Sequence, residues 1–398
     1  MNSFLSRAGF LLTAVLTTAA LPAAPACFVY VGTYTDWELF GPPRRNPPGA
    51  RSQGIYVARF DPATGKLSAP ELAATADNPT YVTLAPSQKI LYATNEVYRL
   101  KGADTGAVSA FSIDAATGKL SFINQVAALG TGTCHASVDS AGRRLFVANF
   151  GSGSVAAFPL NADGSIRPAT DTFQDRGSGP NPRQATPHAH AFNVTPEGKY
   201  AFASEFSSDR LLGFRIDEEG KFAGSPVETK LAPASAPRHL AFHPSAPFAY
   251  SVNEIDSTVT ALRYDAAHGT LSVLETLSAL PADFSGRNTS AEIVVHPSGK
   301  FLYASNRGHH SIAVFAIAAD GHLRLIGHAP SGGRTPRGFS VDPTGRWLIA
   351  ANQDTHNLAV FAIDQATGLP KATGQSEEVR TPVCVKFLTV ADEVRSQF

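Results

Sequence analysis

Four short segments of this sequence carry side chains suited to moving protons beside an anion. They are Pro187-His188-Ala189-His190, Pro237-Arg238-His239, Ser290-Ala291-Glu292 and Pro336-Arg337. A fifth, Cys134-His135, adds a thiol and another imidazole. Imidazoles and carboxylates pass protons near neutral pH when their surroundings tune them. Guanidinium groups grip carboxylates and phosphates through parallel bonds. Further residues of these types stand alone: Asn95-Glu96, Glu205, Asn253-Glu254, Asn306-Arg307 and Asn352-Gln353. Chemistry follows only if the fold gathers them.

A repeat supplies the gathering. Its unit is a short strand, a Pro-x-Gly type turn, an aromatic-rich strand ending in Asn, a third strand, and Gly-x-Leu. One copy runs His296-Pro297-Ser298-Gly299, then Phe301 to Asn306, Ser311 to Phe315, and Asp320-Gly321-His322-Leu323. The second strands of six copies end at Asn95, Asn149, Glu205, Asn253, Asn306 and Asn352, at intervals of 46 to 56 residues. That period suits propeller blades. A seventh unit is split. Phe28 to Thr33 and Gly54 to Asp61 match its second and third strands, and Val383 to Phe387 must supply its first. The expectation is an all-β, seven-bladed β-propeller, its ring closed by N- and C-terminal strands in one blade. Gly41 to Arg51 and Phe173 to Ala185 interrupt the rhythm and are expected to be loops near the site.

With strands labelled a to d from the axis outward, an antiparallel meander puts the b–c turns and d–a connections on one face. All the segments above fall in those two places. Each also has an ordinary structural reading. The Asn residues suit turn capping. His239 and His243 suit strand packing, Cys134 suits a small buried filler, and His296 belongs to the opposite face. His188 and His190 have a spacing that could share a metal, but no third ligand is evident. Arg238, Arg307 and Arg337 need anion partners if buried, which Glu205, Glu254 or Glu292 could supply. Several Arg and His residues on one face tip the balance toward an anionic ligand.

The bulk composition agrees. Gly 33 and Pro 28, with 17% charged residues, suit many strands and tight turns. Basic and acidic residues balance at 33 each, so nothing draws the chain toward nucleic acid. At the N-terminus, Arg7, the apolar run Phe10 to Ala20 and Ala24-Pro25-Ala26 read as an export signal. The expectation is a signal peptide at 1–26, cleaved after Ala26, and one propeller domain over 27–398. The destination is the periplasm or the exterior, with no stable membrane insertion after cleavage. Cys27, Cys134 and Cys384 allow at most one disulfide, Cys27 with Cys384. Buried free thiols are the expected state.

The segments PHAHAFNVTPEGKY, PRHLAFHPSAPFAYSVNEIDSTV, LPADFSGRNTSAEIVVHPSGKFLYASNRGHHSIAVF and GGRTPRGFSVDPTGRWLIAANQDTHNLAVF resemble the β-propeller lactonase family. That family includes bacterial propeller-type 6-phosphogluconolactonases and fungal carboxy-cis,cis-muconate cyclases, and the resemblance spans about Phe28 to Phe387. It implies a catalytic set of His190, Glu254, Arg238 and Arg307. The same face offers His188, His135, Glu292, Arg337, Asn306 and Gln353 for substrate binding. The implied reaction is hydrolysis of a sugar or carboxylated lactone by a monomer without metal or other cofactor. His190 or Glu254 would activate water, and the arginines would hold the anion. An export signal departs from the cytosolic phosphogluconolactonases and puts a phosphorylated substrate in doubt. Three alternatives stay open: a muconate-type cycloisomerase on the same groups, a metal-dependent lactonase using Glu205, Asn253 or a His pair, and a non-catalytic exported binding propeller.

Overall fold

The computed structural model describes residues 27–40 and 51–389. The export segment assigned to 1–26 lies outside them, as do residues 41–50 of the first insertion. Regular structure among the described residues is β-strand, apart from short 3-10 turns at Trp37–Phe40 and Pro182–Gln184.

Seven antiparallel sheets form the blades. Blade 1 comprises Val82–Leu84, Ile90–Asn95, Ala107–Ile113 and Leu120–Ala127. Blades 2 to 6 follow in sequence order, their a strands being Thr133–Val138, Ala189–Val194, Pro237–Phe242, Ser290–Val295 and Pro336–Val341. Blade 7 joins the two ends of the chain. Its inner strand Pro382–Thr389 pairs with Cys27–Thr33, which pairs with Gly54–Asp61. The expected seven-bladed ring and its mode of closure are therefore present. The closing strand is longer than Val383 to Phe387, because every residue of Cys27–Thr33 has a partner on it.

Strand b is buried on both faces. Phe301–Asn306 is buried at all six positions, because neighbouring blades cover it on each side and a continuous apolar run is then favoured. Tyr250, Val252, Ile293, Leu302 and Phe315 form such a layer between blades 4 and 5. Buried tyrosines also tie blades together at their polar tips. The Tyr30, Tyr92, Tyr250 and Tyr303 hydroxyls donate to the carbonyls of Gly118, Gly164, Gly321 and Gly368 in the next blade. Outer strands such as Pro370–Glu378 are mostly exposed.

Four of the five Asn residues ending strand b are clamps to a neighbouring connection rather than caps of their own b–c turn, and Asn253 instead donates to the Thr258 and Thr260 hydroxyls. Asn95, Asn149, Asn306 and Asn352 donate from Nδ2 to the carbonyls of Asp77, Ala128, Ala279 and Ser331. Each bond ties the b–c turn to a d–a connection. Blade 3 carries Glu205 instead. It is fully buried against the Asp175 carboxylate, without a well-formed hydrogen bond to either oxygen. Burial, then Asp175, raises its pKa well above the usual value, and among the described residues neither oxygen makes the clamp that the Asn amides make. Stability is therefore lost as pH rises above the unfolded carboxyl value of 4.5. Glu205→Gln is expected to stabilise the fold by about 1–3 kcal/mol at neutral pH. Melting curves across pH check this. The advantage should vanish in acid, and a constant offset would refute the assignment.

The second insertion is not wholly a loop. Phe173 and Gln174 belong to the outer strand Asp171–Gln174 of blade 2. The blade needs a fourth strand, and Phe173 packs edge-on against Phe214 at 5.1 Å. All three cysteines are buried free thiols.

Candidate active site

One backbone position recurs around the ring. The residue after strand b is Tyr34, Glu96, Phe150, Phe206, Glu254, Arg307 or Gln353. Its N–H donates at 2.8–3.2 Å to a carbonyl in the connection leading into strand a. That bond turns the side chain toward the axis. Six of the seven line a cavity of about 210 Å³, with Trp37, Tyr98, Arg183, His190 and Arg337. Phe206 lies beneath the Arg183 guanidinium at 5.1 Å. At Arg307 the next residue must be small, because a Cβ on Gly308 would meet the Arg287 carbonyl at 1.9 Å. The cavity continues into a groove of about 420 Å³ past Trp37, Arg307, Arg337 and Gln353.

Glu254 is the electrostatic centre. Its Oε2 accepts from Arg238 Nε at 3.0 Å and forms an ion pair with Arg307 Nη2 at 2.8 Å. Its Oε1 accepts from Arg183 Nη2 at 2.5 Å. Burial alone would raise its pKa, but Arg307, Arg238 and Arg183 overcome burial and hold it far below the carboxylate range. His190 Nε2 stands 3.9 Å from Oε2. Burial, then Arg238 and other cationic neighbours, depresses the His190 pKa well below 6.5. At neutral pH the pair is therefore an anionic carboxylate beside a neutral imidazole.

Across the cavity, the Tyr34 hydroxyl donates to Glu96 at 3.1 Å and accepts from Arg337 Nη2 at 2.9 Å. Burial raises the Glu96 pKa, against the pull of Arg337. The two cavity carboxyls are thus pushed in opposite directions. Arg337 has no carboxylate within ion-pair distance among the described residues. Among the described residues, Gln353 Oε1 is buried there without a partner.

The sequence-derived site residues separate into two groups. His190, Glu254, Arg307, Arg337 and Gln353 line the cavity. Arg238 does not. Its side chain is 4% exposed and lies behind Glu254, with Nη1 committed to the Ala291 carbonyl at 2.6 Å and to His239 Nε2 at 3.2 Å. Glu292 does not reach the cavity either, because it accepts from His239 Nδ1 at 2.7 Å. Burial keeps His239 neutral despite that carboxylate. The chain Glu292, His239, Arg238, Glu254 therefore positions the carboxylate from below. His135 packs on Tyr81 and His239 and accepts from the Phe192 N–H. His188 stacks on Phe150 at 4.3 Å, with Nδ1 bonded to the Phe150 carbonyl. Asn306 is fully buried, its amide spent on Ala279, Ser290 and Asn288. His296 bonds the Gly345 carbonyl and Ser298, a structural role.

Arg183, Tyr34, Trp37, Tyr98 and Phe150 line the cavity without having been singled out in the sequence. The position after the strand-ending Asn is the signal that finds Phe150, and it promotes Glu96 to the cavity wall. No repeat points to Arg183, which belongs to the second insertion. Among the described residues, no three His, Cys, Asp or Glu side chains cluster as metal ligands. Glu205 and Asn253 are fully buried away from the cavity wall.

Comparison with known proteins agrees with this architecture. A family model described as lactonase, 7-bladed beta-propeller, matches residues 28–387. A 6-phosphogluconolactonase of Bacillus subtilis is 36% identical over 360 residues, covering 90% of this chain and 97% of its own. A 6-phosphogluconolactonase of Formosa agariphila is 33% identical over 319 residues, covering 78% and 85%. The structure of the Pseudomonas aeruginosa periplasmic gluconolactonase superposes with a TM-score of 0.82 at 33% identity, covering 92% of this chain and all of that one. Fold, site face and sequence together place the chain in the seven-bladed β-propeller lactonase family.

Proposed function

We propose that this protein hydrolyses a sugar-acid or carboxylated lactone, using His190 as general base. The observation that carries this is a neutral His190 beside an ionised Glu254 in a cavity rich in guanidinium groups. A carboxylate shared among three arginines is a weak base, so the imidazole is the better acceptor. Glu254 orients the water and steadies the imidazolium that forms. Water adds to the lactone carbonyl carbon as its proton passes to His190. Arg307 and Arg337 face the developing oxyanion, where positioned donors act most strongly. The ring C–O bond then breaks, and the proton on His190 passes to the leaving alkoxide. The product is the open hydroxy acid. Gln353 Oε1 offers an acceptor for a substrate hydroxyl.

Arg238 supports the carboxylate in this scheme rather than holding the substrate. The guanidiniums supply the positive charge the reaction needs, without a metal. Both the N-terminal pattern and the periplasmic relative support action outside the cytoplasm. The test is hydrolysis of gluconolactone, 6-phosphogluconolactone and carboxylated muconolactones with chelator present. Turnover above the spontaneous rate is expected on at least one. Turnover that appears only with an added divalent ion would overturn the metal-free mechanism, and none under any condition would overturn the lactonase reading.

A further inference from the structure

Arg183 differs from the other cations that hold Glu254. Arg238 and Arg307 both bind Oε2 and are 4% and 12% exposed, whereas Arg183 binds Oε1 and is 50% exposed. The first two are also committed to backbone carbonyls, Arg238 to Ala291 and Arg307 to Ser290. Among the described residues the Arg183 side chain makes one hydrogen bond, to Glu254. Its backbone, by contrast, is pinned. Asn181 and Gln184 form a capping box around it, and the buried Gln184 amide bonds the Phe206 carbonyl and Asp209. Any movement of Arg183 is therefore a swing of its side chain across the Phe206 ring.

Charge gives the swing a direction. Three guanidiniums, from Arg183, Arg307 and Arg337, line the cavity, with Arg238 buried behind Glu254, against the carboxyls of Glu254 and Glu96. An anionic group entering the cavity competes with Glu254 for the most accessible of them. We propose that Arg183 is the specificity residue for an anionic substituent on the lactone, releasing Glu254 Oε1 when that substituent binds. Release leaves Oε1 free to hold the attacking water. A neutral lactone gains nothing from Arg183 and must react with Oε1 still covered. This proposal rests on the lactonase reading above.

The test compares wild type, Arg183→Gln and Arg183→Lys on gluconolactone and 6-phosphogluconolactone. One lost charge-assisted contact corresponds to roughly 10–100-fold. Arg183→Gln should raise KM for the phosphorylated lactone by that factor and cost the neutral lactone markedly less, so that the ratio of the two kcat/KM values falls. Arg183→Lys should recover part of the loss. A parallel readout is binding of 6-phosphogluconate by calorimetry, which needs no turnover and should weaken by the same factor in Arg183→Gln. Equal losses on both lactones, or unchanged 6-phosphogluconate affinity, would overturn the proposal. If wild type turns over neither of these nor any carboxylated muconolactone, the lactonase reading fails, and the calorimetry still decides whether Arg183 reads the anion.

Discussion

Glu254→Gln should lower kcat/KM for lactone hydrolysis by about 10²–10⁴-fold, because the base His190 loses the carboxylate that orients its water and steadies its imidazolium. It should also destabilise the protein by about 3–5 kcal/mol, because removing one partner strands buried opposite charge. The stranded charge is that of Arg238 and Arg307, with Arg183 at the surface. The sign with pH follows from the depressed pKa. Glu254 contributes stability that is fully present above the unfolded carboxyl value of 4.5 and lost as pH falls toward its lower folded value. The gap between wild type and Glu254→Gln should therefore be widest near neutrality and shrink in acid. Denaturant unfolding and steady-state kinetics on the same preparations measure the two effects. Reduced stability with wild-type kcat/KM would leave Glu254 a purely structural ion.

His190→Ala should cost about 10²–10⁴-fold in kcat, with little change in KM if the imidazole acts on water rather than on substrate. The pH profile is the sharper readout. A base must be neutral to accept a proton, and the His190 pKa lies well below 6.5. Wild-type kcat/KM should hold as pH falls through 6.5 and decline only in more acidic solution. An acid limb centred on the ordinary histidine value, and surviving in His190→Ala, would assign the base to another group.

The ring was legible in the sequence because strand b is constrained twice. It must be apolar on both faces, and its last residue must clamp a neighbouring connection, so the Asn-ended pattern recurs. Which face carries the site followed from the meander alone. Depth did not. Arg238 and Arg337 both occupy the second position of strand a, yet only Arg337 lines the cavity. What separates them is the partner each meets in the next blade. The Ala291 carbonyl draws Arg238 inward, whereas the cavity-lining Tyr34 hydroxyl holds Arg337, and no local pattern encodes that. Arg183 was hidden for the opposite reason. It stands on an insertion outside the repeat, where periodicity carries no information.

The seam between Pro382–Thr389 and Cys27–Thr33 sets the timing of assembly. Its two strands are almost the whole chain apart, so the pairing that seals the ring is also the last whose partner is synthesised. Until then the Cys27–Thr33 edge lacks its partner strand. The entropy of joining such distant segments grows only logarithmically with length, so the penalty falls on folding speed far more than on final stability. The same latch works in reverse. A sealed ring has no terminal blade to peel away, and unfolding must first tear an internal seam. The lifetime of the folded protein is then expected to follow the barrier to opening that seam, which unfolding rates of a variant weakened in the Cys27–Thr33 pairing would measure.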